Sequence, residues 1–256
     1  MAEFIITERR DNGVELIRFN RPPMNALSAE LLEELARHVE GLATDPALKA
    51  VVLAGNDRVF AAGAEISQIQ TGTDRLIGNF HRAFDALAAI PRPVIAAVCG
   101  FALGGGLEAA LACDLRLAAE NARLGVPEIL LGVFPGAGGT QRLPRLIGPA
   151  RAKELLWTGR QVRASEALGM GLVDRVVPVE RHLDAALEWA ASFASGAVVA
   201  MGLAKRAVDD GLDGPLADGL TLERTLFRQV LDTEDAATGI QSFFDNGPGK
   251  ATFSGR

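Results

Sequence analysis

Two cysteines and three histidines in 256 residues leave little material for several kinds of chemistry. Cys99 and Cys113 both lie in apolar runs, so they are expected to be reduced core residues of a cytoplasmic protein. His38, His81 and His182 lie far apart on helical stretches with polar neighbours. They read as surface residues, and no metal-ligand spacing is present. G-x-x-x-x-G-K-[ST], G-x-S-x-G and H-E-x-x-H are all missing, so the signatures of P-loop NTPases, α/β-hydrolases and zinc peptidases are absent. Positive charge is in deficit: 26 Lys and Arg against 32 Asp and Glu give a net charge of −6, which argues against a nucleic-acid or anionic-membrane binder. No internal repeat and no low-complexity segment is visible. The opening MAEFIITERRDNG has an early acid and no apolar core, unlike a signal peptide. Residues 93–113 are long enough to imitate a membrane span, but glycines and a central acid interrupt them.

What is present is ordinary for a globular protein: 48% apolar and 23% charged residues. At this length the chain is one large domain or two small ones, and it can bury roughly three quarters of its unfolded surface. Residues 4–8 and 14–20 flank Asp11-Asn12-Gly13 and read as a β-hairpin. Ser28 caps an amphipathic helix to about residue 43, with Leu31, Leu32, Leu35, Val39 and Leu42 on one face. Residues 50–54 read as a buried strand, 59–66 as a small-residue turn, and 74–90 as a helix closed by Pro91 and Pro93. A strand at 94–98, a helix at 107–113 and a strand at 115–118 follow. Helices are expected at 141–146, 150–156 and 164–168, and a strand at 172–177. From residue 180 the patterns are all helical: 180–195, 198–210, 215–231 and 234–244, before a loop-like tail. The chain therefore divides into an α/β body to about residue 195 and a helical part beyond it.

Residues 93–139 carry the chemistry. Between Arg92 and Asp114 the only charged side chain is Glu108, and between Arg123 and Arg142 the only one is Glu128. An unpaired ionised carboxylate is costly to bury. Gly105 falls at the start of the helix, where backbone N–H groups lack partners and the helix dipole is positive. Glu108 follows one turn in, and helical side chains lean back toward the N-terminus. One donor and one carboxylate thus converge. Taken singly, each glutamate suits helix capping: Glu108 as the third helical residue, Glu128 beside Pro127 at a first turn. As a pair in charge-free surroundings they favour catalysis, because apolar surroundings raise a carboxylate's pKa toward neutrality. Gly104 to Ala109 also fits G-x-G-x-x-A, but mid-chain and with a carboxylate that would repel a pyrophosphate. Gly136-Ala137-Gly138-Gly139 fits a phosphate loop, but its spacing favours a tight turn before a helix.

FAAGAEI, PVIAAVCGFALGGGLEAALACD and PEILLGVFPGAGGTQRL together resemble the enoyl-CoA hydratase/isomerase (crotonase) family. NRPPMNALS near the start and FFDNGPGKATFSGR at the end extend the resemblance over nearly the whole chain. The resemblance implies a spiral of ββα turns over residues 1–195 and a C-terminal helical oligomerisation region over 196–256, with trimers that often pair into hexamers. It implies acyl-coenzyme A thioester substrates, with no separate cofactor and no metal. By motif match, Ala64 and Gly105 supply two oxyanion-hole N–H groups, while Glu108 and Glu128 hold and activate a water. Ala62, Glu65, Ile66 and Gly136 are expected to line the substrate site, and Phe243 and Lys250 to reach it from the C-terminal part. Glu65 stands where the family often has Asp, and Ser67, followed by Gln68, stands where some hydratases have a lysine near the coenzyme A moiety. Keeping both acids implies hydration of a 2-trans-enoyl-CoA to a 3-hydroxyacyl-CoA. Another reaction of the family, such as enoyl-CoA isomerisation, and a non-catalytic acyl-CoA-binding homologue are the alternatives.

Overall fold

The computed structural model describes residues 3–71 and 73–256. Strands β1 (Ile5–Arg9) and β2 (Val14–Phe19) form an antiparallel hairpin. Helix α1 (Ala29–Leu42) follows, and the Ser28 side chain accepts from the Leu31 N–H as its N-cap. Then the chain repeats one unit three times: a long strand, a short strand, and helix. The first unit is β3 (Ala50–Ala54), β4 (Val59–Ala61), α2 (Ile66–Thr71) and α3 (Thr73–Ala88). The second is β5 (Val94–Val98), β6 (Phe101–Leu103) and α4 (Gly105–Leu111). The third is β7 (Leu115–Ala119), β8 (Arg123–Gly125), a 3-10 turn at Pro127–Leu131, α5 (Gly139–Ile147) and α6 (Pro149–Thr158). β9 (Gln161–Arg163), α7 (Ala164–Gly169), β10 (Arg175–Val177) and α8 (His182–Ala194) complete the body. Helices α9 (Val198–Leu212), α10 (Leu216–Leu231) and α11 (Glu234–Asn246) end the chain.

The long strands pair as β1-β2-β3-β5-β7-β10 and the short ones as β4-β6-β8-β9. Each unit adds one strand to each sheet, which is the spiral of ββα turns expected above. β3 and β5 are buried along their whole length, as a parallel sheet covered on both faces requires. One face packs against α1 and α3 through Leu32, Leu35, Val39, Phe84 and Leu87. The other packs against α8, where Val52 and Ile95 meet Ala186, Trp189 and Ala190. Two hydrophobic layers thus sandwich the sheet.

Several expectations need correction. Residues 59–66 are more than a turn, since they contain β4 and lead into α2. The whole second sheet was invisible in the sequence, because three residues are too few to show a period of two. The strand expected over 172–177 is confined to Arg175–Val177, because the N–H groups of Leu172 and Val173 both turn back to the Ala167 carbonyl. His182 is buried, with Nδ1 against the Val179 carbonyl at 2.7 Å, so it is not a surface residue. The apolar run at 93–113 is folded into β5, β6 and α4, and no single helix among the described residues is long and apolar enough to cross a membrane.

Candidate active site

The site lies where the second and third units meet. Gly104, at φ 53°, turns the chain from β6 into α4. Glycine adopts this conformation freely, and here it also has no room for a side chain. A Cβ would stand 2.6 Å from Glu128 Oε1. Two residues on, a Cβ on Gly106 would overlap the Ala61 carbonyl, so α4 begins in direct contact with β4. The glycine run therefore lets three elements approach one point.

Two backbone N–H groups on the adjoining segments have no acceptor among the described residues. Gly105 is the first residue of α4, and its N–H has no acceptor among the described residues. Ala64 bridges Leu27 in parallel fashion, but the bonds run from the Leu27 N–H to the Gly63 carbonyl and from the Glu65 N–H to the Leu27 carbonyl. The Ala64 N–H between them is left open. The two donors share neighbours: a Cβ on Gly63 would touch the Leu103 carbonyl at 3.4 Å, and one on Gly105 would meet Leu27 Cδ1 at 3.5 Å.

The two carboxylates lie close enough for Glu108 to repel a charge on Glu128. Glu108 is 2% exposed, and its Oε1 accepts from the N–H groups of Ala137 and Gly139, each at 2.7 Å. Burial pushes its pKa up; those two bonds and the charges of Arg142 and His81 act in the opposite direction. Glu128 sits beside Pro127 on the 3-10 turn, as its sequence position suggested. Burial, with repulsion from Glu108 as a smaller contribution, raises its pKa to about 7, against a lowering backbone hydrogen bond. Its Oε2 is buried with no hydrogen-bond partner. The environments therefore differ: Glu108 has two donors that favour the charged form, and Glu128 has an oxygen suited to carrying a proton.

The other expected residues divide. Ala62 lies on the same strand end, its N–H bonded to the Met24 carbonyl. Glu65 is engaged by Arg21 at 2.7 Å and by the Ser67 hydroxyl, which hold its pKa below the ordinary range, Arg21 first. Gln68 ties the start of α1, accepting from the Ala29 N–H and donating to Glu30. Ile66 is exposed at the start of α2, and Gly136 is exposed beside Ala137. Phe243 and Lys250 are not brought to the glutamates by any hydrogen bond, ion pair or ring contact among the described residues. Phe243 packs edge-to-face on Phe244, and the tail after Lys250 is fastened by Asp235, which accepts from the N–H groups of Ser254 and Gly255.

Asn25 was overlooked, although it lies inside the NRPPMNALS stretch. It is fully buried at φ 50°; its amide donates to the Val59 and Phe60 carbonyls and accepts from the Arg21 N–H. It thus joins the Leu27 segment to β4, and with them the Ala64 donor. Asn25→Ala should lose about 2–3 kcal/mol of stability, because it removes a donor from the Val59 and Phe60 carbonyls and the side-chain acceptor of the Arg21 N–H. Denaturant unfolding checks this, and a loss under about 0.5 kcal/mol would contradict the role.

Two open backbone donors and two acids, Glu108 buried and Glu128 partly buried, suit chemistry that builds negative charge on a carbonyl oxygen. The family model described as Enoyl-CoA hydratase/isomerase matches residues 9–255, and the chain belongs to that family. A probable enoyl-CoA hydratase of Rhizobium meliloti is 46% identical over 90% of this chain and 91% of its own. The short-chain-enoyl-CoA hydratase of Clostridium acetobutylicum is 38% identical over 92% and 93%. The crystal structure of enoyl-CoA hydratase from Bacillus anthracis superposes with a TM-score of 0.94 at 38% identity, covering 99% of this chain and all of that one.

Proposed function

We propose that the protein is an enoyl-CoA hydratase of the fatty acid β-oxidation type, converting a 2-trans-enoyl-CoA to a 3-hydroxyacyl-CoA. The thioester oxygen accepts from the N–H groups of Ala64 and Gly105. Glu108, held by the Ala137 and Gly139 N–H groups, takes a proton from water as its oxygen adds to C3. The electron pair moves through C2 to the thioester oxygen as an enolate, and the two donors stabilise it. Glu128 then delivers its proton to C2, which restores the carbonyl, and the proton held by Glu108 passes through solvent water to Glu128, so both acids return to their starting states. Coenzyme A enters as part of the substrate, so no separate cofactor and no metal takes part.

The observation that carries this reading is the unpartnered, buried Oε2 of Glu128 beside the glycine run, paired with the anchored Glu108. Purified protein should hydrate 2-trans-enoyl-CoA thioesters and give 3-hydroxyacyl-CoA by mass spectrometry. Faster conversion of a 3-enoyl-CoA to a 2-enoyl-CoA would favour isomerisation instead. Tight binding of acyl-CoA with no turnover would favour a non-catalytic homologue.

Residues 196–256 form, in this reading, the oligomerisation region of a trimer or a hexamer. Leu216, Phe227, Leu231, Phe243 and Phe244 are exposed on α10 and α11, and an apolar surface of this kind supports association. Phe243 and Lys250 would then serve a substrate site in the assembly. Two buried free cysteines support a cytoplasmic setting.

A further inference from the structure

The turn that presents two N–H groups to Glu108 is itself held from behind. Arg142 lies one turn into α5, with its side chain one-quarter exposed. Its Nη1 donates to the Ala137 carbonyl at 3.3 Å, and its Nη2 donates to Asp85 Oδ1 at 2.9 Å. Its own N–H closes on the Gly138 carbonyl at 2.8 Å. Ala137 is thus gripped twice, donating to Glu108 on one side and accepting from Arg142 on the other. Gly138, at φ 105°, suits a glycine, and a Cβ there would also displace the Arg142 guanidinium. The planar guanidinium fork fits this geometry, because two donors at fixed angles reach a carbonyl and a carboxylate together, whereas a lysine has one nitrogen.

Behind the turn lies a cavity of about 580 Å³, bordered by His81, Asp85, Gly138 and Arg142. Support for the turn on this side therefore comes from the guanidinium more than from close packing. Asp85 is two-thirds exposed, so its ion pair with Arg142 adds little stability and mainly sets orientation. The titratable and charged groups near Glu108 are Glu128 from the 3-10 turn, Arg142 from α5 and His81 from α3.

We propose that Arg142, oriented by Asp85, is a positioning residue that holds the Ala137–Gly139 turn and, through it, the carboxylate of Glu108. The kinetic consequences rest on the hydratase reading above; the state of Glu108 itself does not. A misplacement of the acid by a fraction of an ångström affects the chemical step far more than binding. Arg142→Ala should therefore lower kcat about 10–100-fold with KM changed less than about threefold. Arg142→Lys should lose most of the same kcat although it keeps the charge, and Asp85→Asn should fall between it and wild type.

The test pairs kinetics with a ¹³C titration of the Glu108 carboxyl, assigned with Glu108→Gln. In Arg142→Ala the Glu108 midpoint should move up, since both the charge and the fixed donors are weakened. In Arg142→Lys it should move less while kcat still falls. Arg142 variants that unfold earlier on heating but keep wild-type kcat and an unmoved titration would overturn the proposal. Should Arg142→Ala not fold, Arg142→Lys and Asp85→Asn decide the matter by the same two readings. A wild-type protein that hydrates no enoyl-CoA would remove the hydratase reading, and the titration would still decide the role of Arg142.

Discussion

Glu108→Gln and Glu128→Gln are each expected to lower the hydration rate by about 10²–10⁴-fold. Glutamine keeps the shape of the side chain, and the Ala137 and Gly139 N–H groups retain an oxygen to bind in the Glu108 variant. What is lost is the ability to take or give a proton. Acyl-CoA affinity should change little, because the oxyanion donors are backbone groups. The double variant should be scarcely worse than either single one, since the two acids act on one water and one addition step. Stability should move in the opposite direction from activity. The Glu128 carboxyl titrates at about 7 in the folded protein, above its reference value of 4.5. The folded state then binds more protons than the unfolded chain between those values. Its stability is full below the lower value and falls as pH rises through the upper one. Glu128→Gln removes that loss, so at pH 8 the variant should be the more stable, by on the order of 3 kcal/mol, and near-equal at pH 4. A capping role predicts another pattern: about 1 kcal/mol or less of lost stability, with turnover retained. Stopped-flow hydration assays and denaturant unfolding at the two pH values separate them. A folded Glu128→Gln protein with near-normal hydration would take Glu128 out of the mechanism and make a one-acid isomerase the better reading.

Ala64→Pro should abolish most activity, by about 10²–10³-fold, while Ala64→Ser stays within about tenfold of wild type. The Ala64 N–H makes no hydrogen bond among the described residues. The bridge to Leu27 uses the Gly63 carbonyl and the Glu65 N–H, so removing the Ala64 N–H breaks no bond of the fold. Ala64 is also absent from the positive-φ positions, among which Asn25 is the one non-glycine described. Serine keeps the N–H and adds only a hydroxyl at a half-buried position. The measurement is kcat and KM beside a thermal melt. A proline variant that melts normally and turns over like wild type would show that the thioester oxygen sits elsewhere.

The two acids and the glycine run were legible in the sequence because charge isolation is a one-dimensional property. Glu108 and Glu128 stand out in apolar runs whatever the fold around them. α1 and the hairpin were legible for a similar reason, since a helical stripe and a turn are local patterns. The motif match carried the spiral fold further than any periodicity did.

Chain positions far apart decided the rest. β4, β6, β8 and β9 have three residues each and exist because successive units stack them into one sheet. Glu108 takes its donors from positions 29 and 31 residues away, and Asn25 reaches 34 and 35 residues along the chain. Arg142 is held by Asp85 across 57 residues. Residue identity by itself determined that two isolated carboxylates lie in apolar, glycine-rich stretches of the chain. Only the tertiary structure decided that one would be anchored by two N–H groups and the other left with an oxygen unpaired, because a hydrogen bond depends on where a donor lies in space.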